Sequence, residues 1–523
     1  MTRDARALSR YLAPATAILF VGAALIAFNG GIAVGSSNHV GLLPVVRRLV
    51  NAAYLPGDFS IELRLYHHRV FARILAILTT VAGEDNAVII LHIASYLALA
   101  AALYVLCKTL DLSLWYYIAA GLILAANAAW TGLGLEENTF TGGREIQPTT
   151  PAAAFVLFGT AALIKRRWGL TALMAGLSTL MHLQIGLIFA IIISPVYLIS
   201  LFRRELPLKR LPVIVAAFLF PALPALIDLR NMFARGVGAS TFTLEYLQMR
   251  MPHHFELMSA KAAIWTVLHL AVMLLVYVWL THRRSPTARA VGILALMSLT
   301  LTVLILIHFA DYYWLHWLTT LKAQFPRMSP LITVFGTLSG LVLIRHLQLR
   351  NPSSKALQIS VAVICVAMVL DTGWKLRQRT LVFSASVMRY RDQPSDWNDV
   401  CRWIHANGPR DTVYLAPPGL YGFSYLTDRS SVVEFKINPD GGQFLKEWYE
   451  RMTDLSGGKL PEQKGLAMRR PLDRAFGSLD NEALLALSNK YSARMAVLPA
   501  SSKAEFPVLY QNKAFRVVEL RAL

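Results

Sequence analysis

Residues 169–202 read GLTALMAGLSTLMHLQIGLIFAIIISPVYLISLF, a run with no Asp, Glu, Lys or Arg. As one helix it would extend about 50 Å, well beyond the roughly 30 Å of a bilayer's hydrocarbon layer. His182-Leu183-Gln184 is the one polar interruption, so the run divides there into two spans, 169–182 and 184–202. Outward from it, further apolar blocks occupy 11–28, 86–107, 112–130, 149–164, 211–229, 262–281, 288–309, 330–346 and 357–374. The expected architecture is an α-helical polytopic membrane protein of about eleven transmembrane helices.

Composition agrees with this reading. The 523 residues are 55% hydrophobic and 16% charged, with a mean hydropathy of +0.47. Soluble domains run near 45–50% apolar and about 25% charged. The block at 11–28 follows Arg3, Arg6 and Arg10 but has no convincing small-residue cleavage site before Asn29, so it reads as a retained first helix. The three cysteines, Cys107, Cys365 and Cys401, imply no disulfide framework.

The formal net charge of +20 is explained by topology, and no nucleic-acid partner is expected. With the N-terminus in the cytoplasm, alternate short connections carry Lys108, Lys165-Arg166-Arg167, Arg203-Arg204 with Lys209-Arg210, Arg283-Arg284, and Arg345 to Lys355. All fall inside, as the orientation rule requires of a bacterial inner-membrane protein. The longer connections, 29–85, 131–148, 230–261 and 310–329, then face the periplasm. In the first, Val40–Ala53 reads as an amphipathic helix with Leu42, Leu43, Val46, Leu49 and Val50 on one face and Arg47 and Arg48 on the other. Ile61–Thr80 reads as a second helix, lying on or dipping into the membrane surface.

Beyond Trp374 the hydropathy falls, and 375–523 is expected to be a small periplasmic α/β domain following the transmembrane domain 1–374. Helices are expected over Ser395–Ala406, Gly442–Met452 and Asn481–Asn489. Strands are expected over Thr412–Ala416, Ser431–Phe435, Arg494–Leu498, Val508–Gln511 and Phe515–Leu520.

Three polar constellations stand out in the long connections. In Tyr54-Leu-Pro-Gly-Asp58-Phe-Ser-Ile-Glu62, a Pro-Gly turn presents Asp58 either as a base near the membrane surface or as the N-cap of the following helix. Residues 135–148 gather Glu136, Glu137, Arg144, Glu145 and Gln147 between two spans, either as a solvated loop or as a substrate site. Met249-Arg250-Met-Pro252-His253-His254, following Arg230 and Arg235, could hold a phosphate or a metal, or sit at the interface; adjacent histidines lack the helical spacing of a metal pair. His182 joins these as a polar group at a helix-pair end, and Asp311-Tyr312-Tyr313-Trp314 as an aromatic belt. There is no phosphate-binding glycine loop, GxSxG, HExxH or CxxC. Cytoplasmic nucleotide chemistry is not expected.

Taken together, the single N-terminal helix, the large acidic first loop, the many spans and the C-terminal tail resemble the GT-C-type membrane glycosyltransferases, and more closely a largely uncharacterised bacterial group placed near them. The resemblance rests on Leu55-Pro-Gly-Asp58, Gly142-Gly143-Arg144-Glu145, Arg250-Met-Pro252-His253-His254, Val413–Pro418, Val432–Lys436 and Glu447–Arg451. It implies transfer of a sugar from a polyprenyl-phosphate donor to an envelope glycan or lipid acceptor. Asp58 would be the base. Arg144, Arg235 and Arg250 would hold the phosphate, while Glu62, Glu137, Glu145, His182, His253 and His254 would line the substrate, with a divalent metal optional. A non-catalytic partner in polysaccharide assembly and a lipid or polysaccharide transporter are the competing readings.

Overall fold

The computed structural model describes residues 3–66, 68–126, 143–234, 241–257, 260–317, 319–350, 386–437, 439 and 442–521. Among these, seven helices are long and apolar enough to cross a membrane: Tyr11–Phe28, Glu84–Thr109, Leu183–Phe202, Leu208–Asn231, Ala262–His282, Ala288–Leu315 and Thr320–Arg350. Leu114–Ala126, Thr149–Ile164 and Trp168–Met181 are apolar but shorter. The architecture is that of a mostly helical membrane protein with a small C-terminal sheet. The expected span at 357–374 lies outside the described residues.

The chain divides into two compact units. The first comprises Met1–Ile32, Ile89–Leu226 and His253–Ser386 and is a helical bundle. Its centre is mostly apolar, with Leu99, Leu103, Phe189, Ile192, Met297, Leu301, Phe335 and Leu338 all buried. The 169–202 run is two helices, Trp168–Met181 and Leu183–Phe202, separated by His182 in extended conformation (φ −144°, ψ 104°). The hairpin closes so tightly because Gly186 has no side chain: a Cβ there would lie 2.1 Å from the Thr179 amide nitrogen. Small residues let backbones approach where no hydrophobic force drives helices together.

At one end of this bundle the basic turns meet. Glu205 pairs with Arg166 at 3.0 Å and with Arg289 at 2.9 Å, and Arg345 pairs with Asp111. The alternate connections picked out by charge are therefore neighbours in space.

The second unit comprises Ala33–Val88, Ile227–Pro252 and Val387–Leu523. Two upstream segments thus join the expected C-terminal domain. Its five-stranded sheet has the order Ser430–Ser431, Val413–Leu415, Ala493–Pro499, Phe515–Glu519, Val508–Gln511; the first three strands are parallel and the last two pairings antiparallel. The Asp396–Asn407 helix, capped by Ser395 accepting from Asn398 N at 3.1 Å, buries Trp397, Val400, Cys401 and Ile404. That i, i+3, i+4, i+7 stripe is what made the helix legible. The expected strand at Ser431–Phe435 is shorter, because Val432–Phe435 leaves the sheet after Ser431.

Two features of the first loop differ from expectation. Its first helix, His39–Val50, buries Val40, Leu43, Val45 and Val46 and exposes Val50. The face turns because Arg47 is drawn inward by two carboxylates. Its Nε and Nη2 donate to Glu84 at 2.7 and 2.8 Å, and Nη1 donates to Asp428 at 2.6 Å. The second expected helix is broken into Phe59–Arg64 and Arg69–Ala82, with His68 in the left-handed region (φ 51°) between them. On Arg69–Ala82, Phe71, Ala72, Leu75 and Ala76 are buried while Ile77 and Val81 are exposed, so the helix is apolar on two faces.

Candidate functional site

Asp58 follows the Pro56-Gly57 turn in extended backbone, and its Oδ1 accepts the Ile61 amide at 3.1 Å. It is therefore the N-cap of Phe59–Arg64. It is also only 3% exposed, and its Oδ2 is buried with no hydrogen-bond partner among the described residues. Burial pushes its pKa up to about 6, against the pull of the Ile61 amide, Ser430, the Ser60 amide and the Arg451 charge.

Beside it lies a residue that the sequence reading left out of the site. Glu434, 2% exposed, accepts the amides of Gly422 at 2.6 Å and Phe423 at 3.3 Å through Oε2, and that of Ser424 at 3.0 Å through Oε1. Three amide donors would ordinarily hold a carboxylate low. Burial nevertheless pushes Glu434 up to about 7, and the Asp58 charge adds to the rise. The signal in the sequence was a lone carboxylate inside the apolar run Val432-Val433-Glu434-Phe435.

Two arginines close the layer around this run. Arg451 donates to the Val432 carbonyl at 2.8 Å and to Glu447 at 2.6 Å, and its guanidinium lies 4.2 Å over the Phe59 ring. Arg250, 3% exposed, donates to the Phe435 carbonyl and stacks on its ring. Burial lowers its pKa to about 10, with the Arg469 charge contributing to the fall. The guanidinium expected to hold a phosphate thus holds the peptide backbone. Glu62 is half-exposed with Arg48 at 3.7 Å. The four residues come from all three segments of the unit: Asp58 feels the charges of both Glu434 and Arg451, and Arg250 holds the residue that follows Glu434.

Five other expected site residues, Arg144, Glu145, His182, His253 and His254, belong to the helical bundle. Arg144 and Glu145 are half-buried just after Gly143, whose carbonyl accepts the Tyr96 hydroxyl at 2.7 Å. The His253 and His254 rings lie tilted at 41° with centroids 4.2 Å apart, ahead of Phe255, which stacks on His308. Asp311, fully buried, accepts the Trp317 amide and the Thr320 hydroxyl. His182 caps Leu183–Phe202, its Nδ1 3.4 Å from the Ile185 amide, and its Nε2 faces Arg327 Nη1 at 3.4 Å. Arg327, which the sequence reading missed, also donates to Gln184 Oε1 at 2.8 Å. Glu137 and Arg235 lie outside the described residues. Among the described residues no three His, Cys, Asp or Glu side chains gather as a metal ion would require.

No curated protein matches the chain. A family model described as a domain of unknown function (DUF6798) matches residues 395–455, the part of the second unit that runs from the Ser395 cap through Glu434 to Arg451.

Proposed function

We propose that the chain is a GT-C-like membrane glycosyltransferase of the bacterial inner membrane. It has about eleven spans and moves a sugar from a polyprenyl-phosphate donor to an envelope glycan or lipid acceptor on the periplasmic face. One observation carries the reading: the Asp58 carboxylate is buried, keeps one oxygen without a hydrogen-bond partner among the described residues, and has its pKa pushed up to about 6. A base that titrates near neutrality suits removal of a proton from an acceptor hydroxyl. As the hydroxyl oxygen bonds to the sugar's anomeric carbon, the bond to the phosphate oxygen breaks and polyprenyl phosphate leaves as an anion. The hydroxyl proton goes to Asp58. At 3% exposure, Asp58 meets an acceptor only when its surroundings open.

A second reading, a non-catalytic partner in polysaccharide assembly, draws on a different observation. Asp58 already serves as a helix cap, and Arg250 is committed to Phe435. The variant Asp58→Asn separates the two, because Asn caps a helix as well as Asp does but cannot take the proton. In a strain lacking the gene, wild-type protein should restore the envelope glycan, seen by gel and mass spectrometry. D58N should reach the same membrane level and restore about 1% or less, from the usual 10²–10⁴-fold contribution of a base. Full restoration by D58N removes the base and leaves the partner reading.

A further inference from the structure

We propose that the basic turns at the Glu205 end of the helical bundle form a binding surface for anionic phospholipid head groups. The inference rests on the apolar bundle and its turns and is independent of the transfer reaction proposed above.

The connection between Leu183–Phe202 and Leu211–Ala234 carries one pattern twice. Phe202-Arg203-Arg204 and Leu208-Lys209-Arg210 are each an apolar residue followed by two cations. All six residues are exposed, Phe202 at 86% and Leu208 at 73%. The centre of the connection is fixed between them. Leu206 is buried in the bundle core, and Glu205 holds Arg166 at 3.0 Å and Arg289 at 2.9 Å. That one carboxylate ties together the turns at 165–167, 203–210 and 283–289. Lys165, Arg167, Arg283 and Arg284 are exposed as well. Neither they nor the cations of the two triplets have an ion pair among the described residues.

The bundle's own electrostatics do not balance this charge. A helix dipole favours cations after its last turn, where Arg203 and Arg204 stand, and disfavours them before its first. Arg167 precedes Trp168–Met181, and Lys209 and Arg210 precede Leu211–Ala234. These three stand at positive helix ends with no carboxylate paired to them. The compensating anion therefore comes from outside the chain. The orientation rule acts on such charge during insertion, whereas lipid binding is a property of the finished protein, so the two are separable.

Position and composition choose the partner. Leu183–Phe202 has 20 residues, about 30 Å at 1.5 Å per residue, the thickness of the hydrocarbon layer. One triplet begins on its last residue and the other leads into the next helix, so both lie at head-group level. An anionic phospholipid meets both halves of a triplet: its phosphate takes the cations, and its acyl chain covers the exposed Phe202 or Leu208. An acidic soluble protein offers the charge but no chain to lie along those side chains. A zwitterionic lipid offers the chain but no net charge. On the orientation proposed above, this surface meets the cytoplasmic leaflet.

The test uses the full chain in nanodiscs of phosphatidylcholine, or of phosphatidylcholine mixed with phosphatidylglycerol. Wild-type protein should show a higher thermal midpoint in the mixed membrane, and high salt should erase the gain. Native mass spectrometry should find phosphatidylglycerol retained in preference to phosphatidylcholine. R203Q/R204Q and K209Q/R210Q should each weaken that retention at least about tenfold, from roughly fivefold per cation at an anionic surface. R203K/R204K keeps the charge and should bind as wild type does, which reads the site even where a neutralised turn inserts wrongly. K503Q/K513Q removes the same charge from exposed lysines of the other unit and should change nothing. Equal wild-type midpoints and equal retention of the two lipids would overturn the proposal. So would wild-type retention in both neutralised variants, which would leave the turns with orientation alone, or an equal loss in K503Q/K513Q, which would make the effect one of net charge.

Discussion

Arg250 donates to the Phe435 carbonyl twice, through Nε at 3.1 Å and Nη2 at 2.6 Å, while its guanidinium lies 3.8 Å above the Phe435 ring. A residue 185 positions upstream thereby pins the backbone next to Glu434. The planar fork gives both bonds to one oxygen and stacks at the same time, which lysine cannot do.

Arg250→Ala should destabilise the second unit by about 3 kcal/mol, since it leaves a buried carbonyl without its donor and opens a cavity. Arg250→Lys should recover only part of this. Tryptophan fluorescence during denaturation of the purified protein reports it, because Trp448 packs 6.1 Å from the Phe435 ring. Unchanged stability in R250A, together with weaker binding of farnesyl phosphate, a short isoprenyl monophosphate, would return Arg250 to the phosphate role read from the sequence.

The buried carboxylates make stability depend on pH in a definite direction. Asp58 rises from 3.8 to about 6 and Glu434 from 4.5 to about 7 on folding. The folded state therefore binds protons that the unfolded state has released, and the contribution is complete below about pH 4. It is lost as pH rises through the folded values. Each group should account for on the order of 2 kcal/mol across pH 4 to 7. Other carboxylates titrate as well, so the measurement is the difference between wild type and variant. Relative to wild type, D58N and Glu434→Gln should gain stability from pH 4.5 to pH 7.5. A relative loss over that range would mean that both carboxylates are stabilised as anions.

The helical bundle was legible because the bilayer admits so few solutions. A long uncharged run has few options other than spanning; length required the 169–202 run to divide, and its polar residues His182 and Gln184 marked the place. In the tail, the caps Ser395 and Asp480 and the stripe Trp397, Val400, Cys401 and Ile404 are local signals that survive folding. The contacts of Arg250 and Arg47 were not legible because they depend on partners far along the chain. Phe435 is 185 positions from Arg250, and Asp428 is 381 positions from Arg47. No periodicity encodes such pairings. Asp58 was readable as a cap from its turn, but its burial was not, since its neighbours Ser430 and Arg451 come from the tail.

The hairpin at His182 should be intolerant of the smallest addition. Gly186→Ala places a Cβ about 2 Å from the Thr179 backbone, which cannot yield without separating the two helices. Loss of monodisperse protein or a clear drop in thermal midpoint is expected. Gly169→Ala is the control: a Cβ there meets nothing within 4 Å, and alanine in a helix gains up to about 1 kcal/mol over glycine. Size-exclusion profiles and thermal scans of the two variants should therefore move in opposite directions. A normal profile for G186A would mean that the two helices separate readily enough to admit a methyl group.

Orientation can be tested at two exposed positions, Arg167 and Ser478. Arg167 lies in a basic turn, and the cost of translocating such turns predicts that it stays in the cytoplasm. From there the chain enters Trp168–Met181, Leu183–Phe202, Leu211–Ala234, Ala260–His282, Ala288–Ala310 and Pro330–Arg350, and then 357–374. If all seven segments cross, the number is odd and Ser478 emerges on the opposite side; if 357–374 does not cross, the two positions share a side. Cys107 and Cys401 are buried, so only Cys365 needs replacement by serine to give a low background. In whole spheroplasts a membrane-impermeant maleimide should then label Ser478→Cys and spare Arg167→Cys, and inside-out vesicles should reverse the pattern. Labelling of neither from outside would put the tail in the cytoplasm and withdraw 357–374 as a span. Labelling of Arg167→Cys alone would invert the orientation and, with it, the periplasmic face on which the proposed transfer takes place.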